Sequence, residues 1–312
     1  MPISILAVVF ADTYLHPDAP DPVLDESVVL EAARRHVPDA GPVLSVDESG
    51  GEARAYLLGG DVVLKTQRPH RLRPRTSLAK EAFFLEELHR QGAFPVPRVL
   101  GRGQAAGTEY TCLSRVSGSA LLRTALEPDD RRHVLMDLGR NLRAIHNADQ
   151  TALESSGLIP GDRSAADLKS RIADSFERLA ASFDADIRLS AVVNVRRIAA
   201  MRIEATVADT PPVSLHSNPG PEHTFVDPST GSFTGLIDFG DAYRSHPAFD
   251  FRPWANEDDA AAVLDGYRST GPLPPHFEDV RRTVLVLDAL ARAARGTSSP
   301  DELANALERL LR

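Results

Sequence analysis

Apolar and polar positions change their period twice along this chain of 312 residues. From Asp25 to about residue 36 apolar residues recur at helical spacing, with Asp25 standing where an N-cap belongs. Residues 16–25 just before it are rich in Pro and Asp; prolines that close break both helix and ladder, so this stretch reads as a loop. After Pro42 the period shortens. Residues 43–47, 54–58 and 61–66 are strand-like, and the Gly50-Gly51 and Gly59-Gly60 pairs between them are turn signals. They predict a three-strand antiparallel meander. Ser77 then opens an amphipathic helix to about Gln91, with Leu78, Phe83, Phe84, Leu85 and Leu88 on its apolar side.

Two further strands are expected near 98–101 and 109–115, and Gly118 ends the region. From Pro128, well placed for a first helical turn, the pattern becomes mainly helical. Helices are expected through Met136 to Ile145, over 165–184 and 186–207, and near Glu257, Glu278 and Asp301. A non-helical stretch from Val213 to Asp241 interrupts them. The expected class is α+β and bilobal. Residues 1–116 would form a small β-rich lobe, with 1–40 as an extension carrying one helix; 117–312 would form a larger helical lobe.

Composition narrows the function classes only slightly. Apolar residues at 42% and charged residues at 25% are ordinary for a globular chain. The single cysteine, Cys112, excludes an internal disulfide framework and suits a reducing cytoplasm. No apolar run reaches the roughly 20 residues of a membrane span, and residues 3–10 lack the preceding Lys or Arg of a signal peptide. They read as a short strand or a misannotated leader. Net charge is −9, which argues against general nucleic-acid binding. Most of the excess lies late: residues 203–312 hold 9 Lys and Arg against 17 Asp and Glu. Such a face suits a cationic ligand, and solvated helix surfaces suit the same charge.

The densest chemical signal is Leu215-His216-Ser217-Asn218-Pro219-Gly220-Pro221-Glu222-His223-Thr224-Phe225-Val226-Asp227, followed by Gly235-Leu236-Ile237-Asp238-Phe239-Gly240-Asp241. Two short apolar strands flank polar loop ends. Asp238 follows an apolar run and precedes Phe-Gly, which puts a carboxylate where a hard cation bridges phosphate oxygens. This stretch resembles the catalytic segment of aminoglycoside phosphotransferases and related small-molecule kinases, whose fold is bilobal and protein-kinase-like. The resemblance covers roughly residues 43–255, with its specific motifs within 213–250.

The resemblance implies nucleotide between the lobes, with Mg²⁺ and ATP or GTP as cofactors. By it Asp238 is the principal Mg²⁺ ligand, and His223, five residues after Asn218, falls at the second metal position. Imidazole is a softer ligand than Mg²⁺ prefers, and a His after a turn is often only hydrogen-bonded. Asn218 stands where the family places the Asp that accepts the proton of the attacking hydroxyl. An amide orients a hydroxyl but is no useful base near neutral pH. General-base help is worth about 10²–10⁴ in rate, so slow transfer is compatible with the amide. A weakened kinase, a nucleotide-binding pseudokinase and an Asp→Asn trap all stay open. Asp241 is the nearby carboxylate that would substitute as base.

Upstream, Lys65 ends Val62-Val63-Leu64-Lys65, where its ammonium would meet the α- and β-phosphates; Glu81 is its expected partner, with Glu86 and Glu87 as rivals. Gly50 and Gly51 would form the turn over the phosphates, although two glycines also make a plain hairpin. Cys112, Leu113 and Ser114 would lie in the lobe connector, reading the base edge through exposed backbone groups. The basic run from Lys65 to Lys80 reads as a solvated loop. His146 and His216 read as packed or buttressing, and Asp250 as binding loop backbone. The implied activity is O-phosphotransfer to a hydroxylated small molecule. A metal hydrolase built on His216, His223 and Asp238 is the weaker alternative, lacking HExxH or a cysteine framework.

Overall fold

The structure is a computed structural model that describes residues 14–74, 76–182, 210–254 and 256–299, with 303 and 305–307 near the end. The expectations for residues 3–10 and 186–207, and most of the one near Asp301, lie outside the described residues.

Helix α1 (Glu26–Arg34) is followed by β1 (Val43–Asp47), β2 (Ala53–Leu58) and β3 (Val62–Gln67), then α2 (Leu78–Gln91), β4 (Val99–Ala105) and β5 (Thr108–Ser114). Asp25 occupies the N-cap position of α1, but its side chain makes no capping hydrogen bond. Ser77 does cap α2, accepting the Lys80 N–H at 3.0 Å. The five strands form one antiparallel sheet in the order β1-β2-β3-β5-β4. The expected meander is therefore its first half.

The period of two along a strand sorts the sheet's two faces. Tyr56, Leu58, Leu64, Tyr110 and Cys112 turn towards α1 and bury there with Val29, Ala32 and Ala33. Leu113 belongs instead to the larger core with Phe84, Leu85 and Leu88 of α2. Lys65, one residue beyond Leu64, faces the α2 side.

The remaining described elements are mostly helical: α3 (Pro128–Asn147), α4 (Thr151–Ser155), α5 (Ala165–Ser182), α6 (Glu257–Arg268) and α7 (Phe277–Ala294). Short strands interrupt them: β6 (Ser119–Ala120), β7 (Val213–Leu215), β8 (Thr224–Asp227), β9 (Ser232–Leu236) and β10 (Tyr243–Ser245). β6-β8-β9 form one small sheet and β7 with β10 another. The chain enters the first through Gly118, which has φ +90°, and a Cβ there would stand 2.0 Å from the Val226 carbonyl oxygen.

α3 and α6 meet closely because each offers a glycine to the other's backbone. A Cβ on Gly139 would fall 2.0 Å from the Val263 oxygen, and one on Gly266 would fall 1.9 Å from the Met136 oxygen. The helices would have to separate to admit a methyl group. Gly139→Ala is expected to cost about 3 kcal/mol, since overpacking against backbone cannot relax by a rotamer change. Calorimetry should show a melting point lowered by at least roughly 5 °C.

Candidate active site

The site gathers at the ends of β3, β7 and β9 and the start of α2. Lys65 Nζ donates to Glu81 Oε1 at 3.0 Å and Oε2 at 2.8 Å, and to Asp238 Oδ1 at 2.9 Å. An ammonium on the third strand thus joins a helix carboxylate to one that lies 173 positions away in sequence. Glu81 is 1% exposed and Asp238 44% exposed, so the first is an internal anchor and the second opens to solvent. Glu86 and Glu87 turn elsewhere, towards Arg102 and Arg90.

The charges of this trio set one another. Desolvation opposes the Lys65 charge, but Asp238 and Glu81 outweigh it and raise its pKa. Desolvation likewise opposes the Asp238 carboxylate, yet Lys65 and then His223 hold it well below the usual carboxylate range. For Glu81 burial wins, and its pKa is raised despite Lys65. Asp238 is therefore an ionised carboxylate presented to solvent.

Its backbone is unusual. Asp238 has φ +69°, a left-handed conformation that a non-glycine residue adopts at a cost and that clusters at functional sites. The next residue fastens it. Phe239 is fully buried, stacks on Phe84 with centroids 5.2 Å apart, and donates its N–H to Glu81 Oε1 at 3.3 Å.

The loop between β7 and β8 is held from beneath by Asp250, itself fully buried. Its carboxylate accepts the N–H groups of His216 at 3.0 Å and Ser217 at 2.6 Å, and contacts His146 Nε2 at 2.9 Å. His216 has both nitrogens engaged. Nε2 donates to the Ile237 carbonyl at 2.8 Å while Nδ1 accepts the Asn218 N–H at 3.2 Å. Burial lowers its pKa to about 4, which keeps it neutral and in that tautomer. With no lone pair left, His216 is unavailable to a metal, and the hydrolase alternative loses one of its three ligands.

His223 is arranged differently. Its Nδ1–H donates to the Asn218 carbonyl at 2.8 Å, which leaves Nε2 facing Asp238 Oδ2 at 3.4 Å. Among the described residues no group of three or more His, Cys, Asp and Glu side chains could hold a metal ion. The Asp238 carboxylate is the kind of group through which Mg²⁺ is commonly held, with phosphate oxygens and water filling its octahedron, while the His223 imidazole is a softer second group. Asn218 is half-buried, and its Nδ2 donates to Glu222 Oε1 at 3.3 Å. Asp241 accepts Arg73 Nη2 at 3.1 and 3.2 Å and Thr76 Oγ1 at 3.2 Å, contacts that draw on the oxygens a substitute base would need.

Two sequence expectations need revision. Cys112 and Leu113 pair with β3 on one side and β4 on the other, and the Ser114 N–H donates to the Arg98 carbonyl at 2.8 Å. Cys112 and Leu113 are thus committed to the sheet, and the Arg115 N–H donates to the Asp61 carbonyl at 2.7 Å, so free connector N–H groups begin only beyond residue 115. The basic run is also not a solvated loop. Lys80 is 2% exposed and donates to the Ala242 carbonyl at 2.7 Å, and Arg68 is 7% exposed. Arg73 joins Glu52 of the glycine turn to Asp241. Glu52 was not singled out by sequence; a carboxylate directly after Gly50-Gly51, facing an arginine six residues beyond β3, is legible only in three dimensions.

The fold has close relatives among solved structures. A GDP complex of wild-type aminoglycoside 2'-phosphotransferase-IIIa aligns with a TM-score of 0.64 at 18% identity, over 92% of this chain and 98% of that one. Macrolide 2'-phosphotransferase MphH from Brachybacterium faecium aligns at 0.62 and 21% identity, over 92% and 97%. A streptomycin–ATP–APH(2")-IIa ternary complex aligns at 0.60 and 15% identity, over 93% and 97%. At these identities the likeness speaks for the fold. No protein of curated function matches the chain in sequence. The sequence profile of the phosphotransferase enzyme family, in contrast, matches residues 43–303, most of the chain, and it includes Lys65, Glu81, Asn218, His223 and Asp238. The chain belongs to the phosphotransferase enzyme family.

Proposed function

We propose that the protein transfers the terminal phosphoryl group of ATP or GTP to a hydroxyl of a small molecule. The observation that carries this is the Lys65 ammonium held between Glu81 and Asp238. An ammonium with a buried anchor and an ionised carboxylate beside it offers a phosphate clamp next to a cation site. Asp238 and His223 would hold Mg²⁺, which when bound neutralises charge on the β- and γ-phosphate oxygens. Lys65 would keep its contact with Glu81 and turn its remaining N–H groups to the α- and β-phosphates. The Gly50-Gly51 turn would lie over the phosphates, and the connector beyond Arg115 would meet the base. The boundary between the two lobes would fall near residue 116.

Asn218 would orient the acceptor hydroxyl through its amide oxygen, since Glu222 takes up the amide N–H. That an amide and not a carboxylate stands there favours a second reading, in which nucleotide is held with little or no transfer. The acceptor class follows the solved relatives only loosely. Their complexes contain streptomycin in one case and kanamycin in another, and a third relative is a macrolide enzyme. A polyhydroxylated or cationic acceptor suits the acidic late third of this chain.

Thermal shift tests the nucleotide site directly. Mg·ATP or Mg·GTP at 100 times Kd should stabilise by about 2.7 kcal/mol and raise the melting point by roughly 4 °C. Magnesium or nucleotide alone should give much less. Equal melting points in all four conditions would remove the basis for the proposal.

A further inference from the structure

The residues that precede α1 reach the glycine turn through an ionic network around two buried arginines, Arg54 and Arg68. Two hydrogen bonds anchor the segment: Leu15 N–H to the Leu72 carbonyl at 2.8 Å, and Leu24 N–H to the Tyr56 hydroxyl at 3.0 Å. Between them Pro17, Pro20 and Pro22 stiffen the path by fixing φ. Asp21 is the segment's contact with the sheet. Its carboxylate takes a two-point bond from Arg68, Nε at 3.2 Å and Nη2 at 2.6 Å, and a third from Arg54 Nη2 at 3.0 Å. Arg54 is 2% exposed, and its other groups bind Glu48 Oε1 at 2.5 Å and the Pro22 carbonyl at 2.7 Å.

Arg68 faces two ways. While one edge of the guanidinium is fixed on Asp21, Nη1 reaches the carbonyl oxygens of Glu48 at 3.5 Å and Gly50 at 3.4 Å. The far end of the same turn is tied by the Arg68 N–H and the Gln67 side chain, both donating to the Glu52 carbonyl at 2.9 and 2.7 Å. The planar guanidinium sets the direction of Nη1 once Nε and Nη2 are engaged, which a lysine in its place would not do.

We infer that Asp21 is a positioning residue for nucleotide, bracing the 48–52 turn through Arg68 so that its shape is set before the phosphates arrive. The inference rests on the reading of that turn as the phosphate cover. A preorganised turn binds better because the ordering cost is met during folding. Without the Asp21 carboxylate the two buried guanidinium groups lose the anion they share, Arg54 keeps Glu48, and the Arg68 fork loses its reference. The brace acts on the phosphate end alone, so it should leave recognition of the base and ribose untouched.

That asymmetry defines the test. Binding of Mg·GTP, Mg·ATP, guanosine and adenosine to the full chain is measured by calorimetry for wild type, Asp21→Asn and Arg68→Lys. Arg68→Lys keeps the positive charge beside Asp21 but removes the donors aimed at Glu48 and Gly50. In both variants the preferred triphosphate should bind on the order of tenfold more weakly, the size of one lost hydrogen bond to a charged group, while its nucleoside changes by less than about twofold. A merely structural residue would weaken both ligands together or neither, and either result in a folded variant overturns the brace. Should Asp21→Asn fail to fold, Arg68→Lys decides alone. If wild type binds neither triphosphate, the nucleotide reading itself falls and the brace with it. If wild type binds and the variants match it, only the brace is lost.

Discussion

Replacing Asp238 by Asn should lower phosphoryl transfer by about 10²–10³-fold, the usual cost of deleting one aligned electrostatic group at a reacting centre. Asn is the informative choice. It tolerates the left-handed φ of +69° that this position requires, whereas most residues would add backbone strain to the lost charge. Lys65 keeps its two contacts to Glu81, so the small lobe should stay assembled and the melting point of the unliganded protein should change little. The stabilisation by Mg·nucleotide should shrink with the rate, because the substitution removes the charged half of the His223–Asp238 pair. Transfer from γ-labelled ATP and GTP to a panel of hydroxylated compounds, with release to water recorded in parallel, gives the rate. Wild-type turnover in Asp238→Asn would place the chemistry elsewhere in the molecule.

The opposite effect is expected at Asn218. A carboxylate at this position would supply general-base help worth about 10²–10⁴ in rate. Glu222 decides how strong a base the new carboxylate is. Glu222 Oε1 lies 3.3 Å from the amide nitrogen of Asn218, so an Asp side chain there would face a like charge, which raises its pKa towards the working pH and makes it the stronger base. Gly220 lets Glu222 come so near: a Cβ on it would stand 2.6 Å from Glu222 Oε2. Asn218→Asp alone should therefore exceed Asn218→Asp combined with Glu222→Gln, and the gain should appear in kcat with the nucleotide KM little changed. The same labelled-nucleotide assay measures both. If wild type and both variants bind Mg·nucleotide yet transfer nothing to any acceptor or to water, the binding reading replaces the kinase reading.

Sequence reasoning went furthest where chemistry and periodicity are local. The strand-like stretches 54–58 and 61–66 became β2 and β3, and the glycine pairs fall in the turns that flank β2. Ser77 marked the start of α2, and Lys65 with Glu81 formed the expected pair. The same logic misjudged groups whose environment comes from distant chain. The run containing Arg68, Arg73 and Lys80 looks solvated because nothing nearby in sequence neutralises it; its partners are Asp21, Asp241 and the Ala242 carbonyl. Likewise, the segment at Cys112–Ser114 looked like free connector until β4 paired along its second side.

What the linear order of residues settles here is which groups exist and how far apart they sit: a strand lysine, a helix glutamate, and a loop that carries an amide. Those follow from bond geometry and short-range sterics, which act over a few residues. Folding settles which charges meet. Lys65 reaches Asp238, Asp21 reaches Arg68, and Asp250 takes the N–H groups of His216 and Ser217, because packing brings distant segments together where solvent is excluded and ionic contacts strengthen.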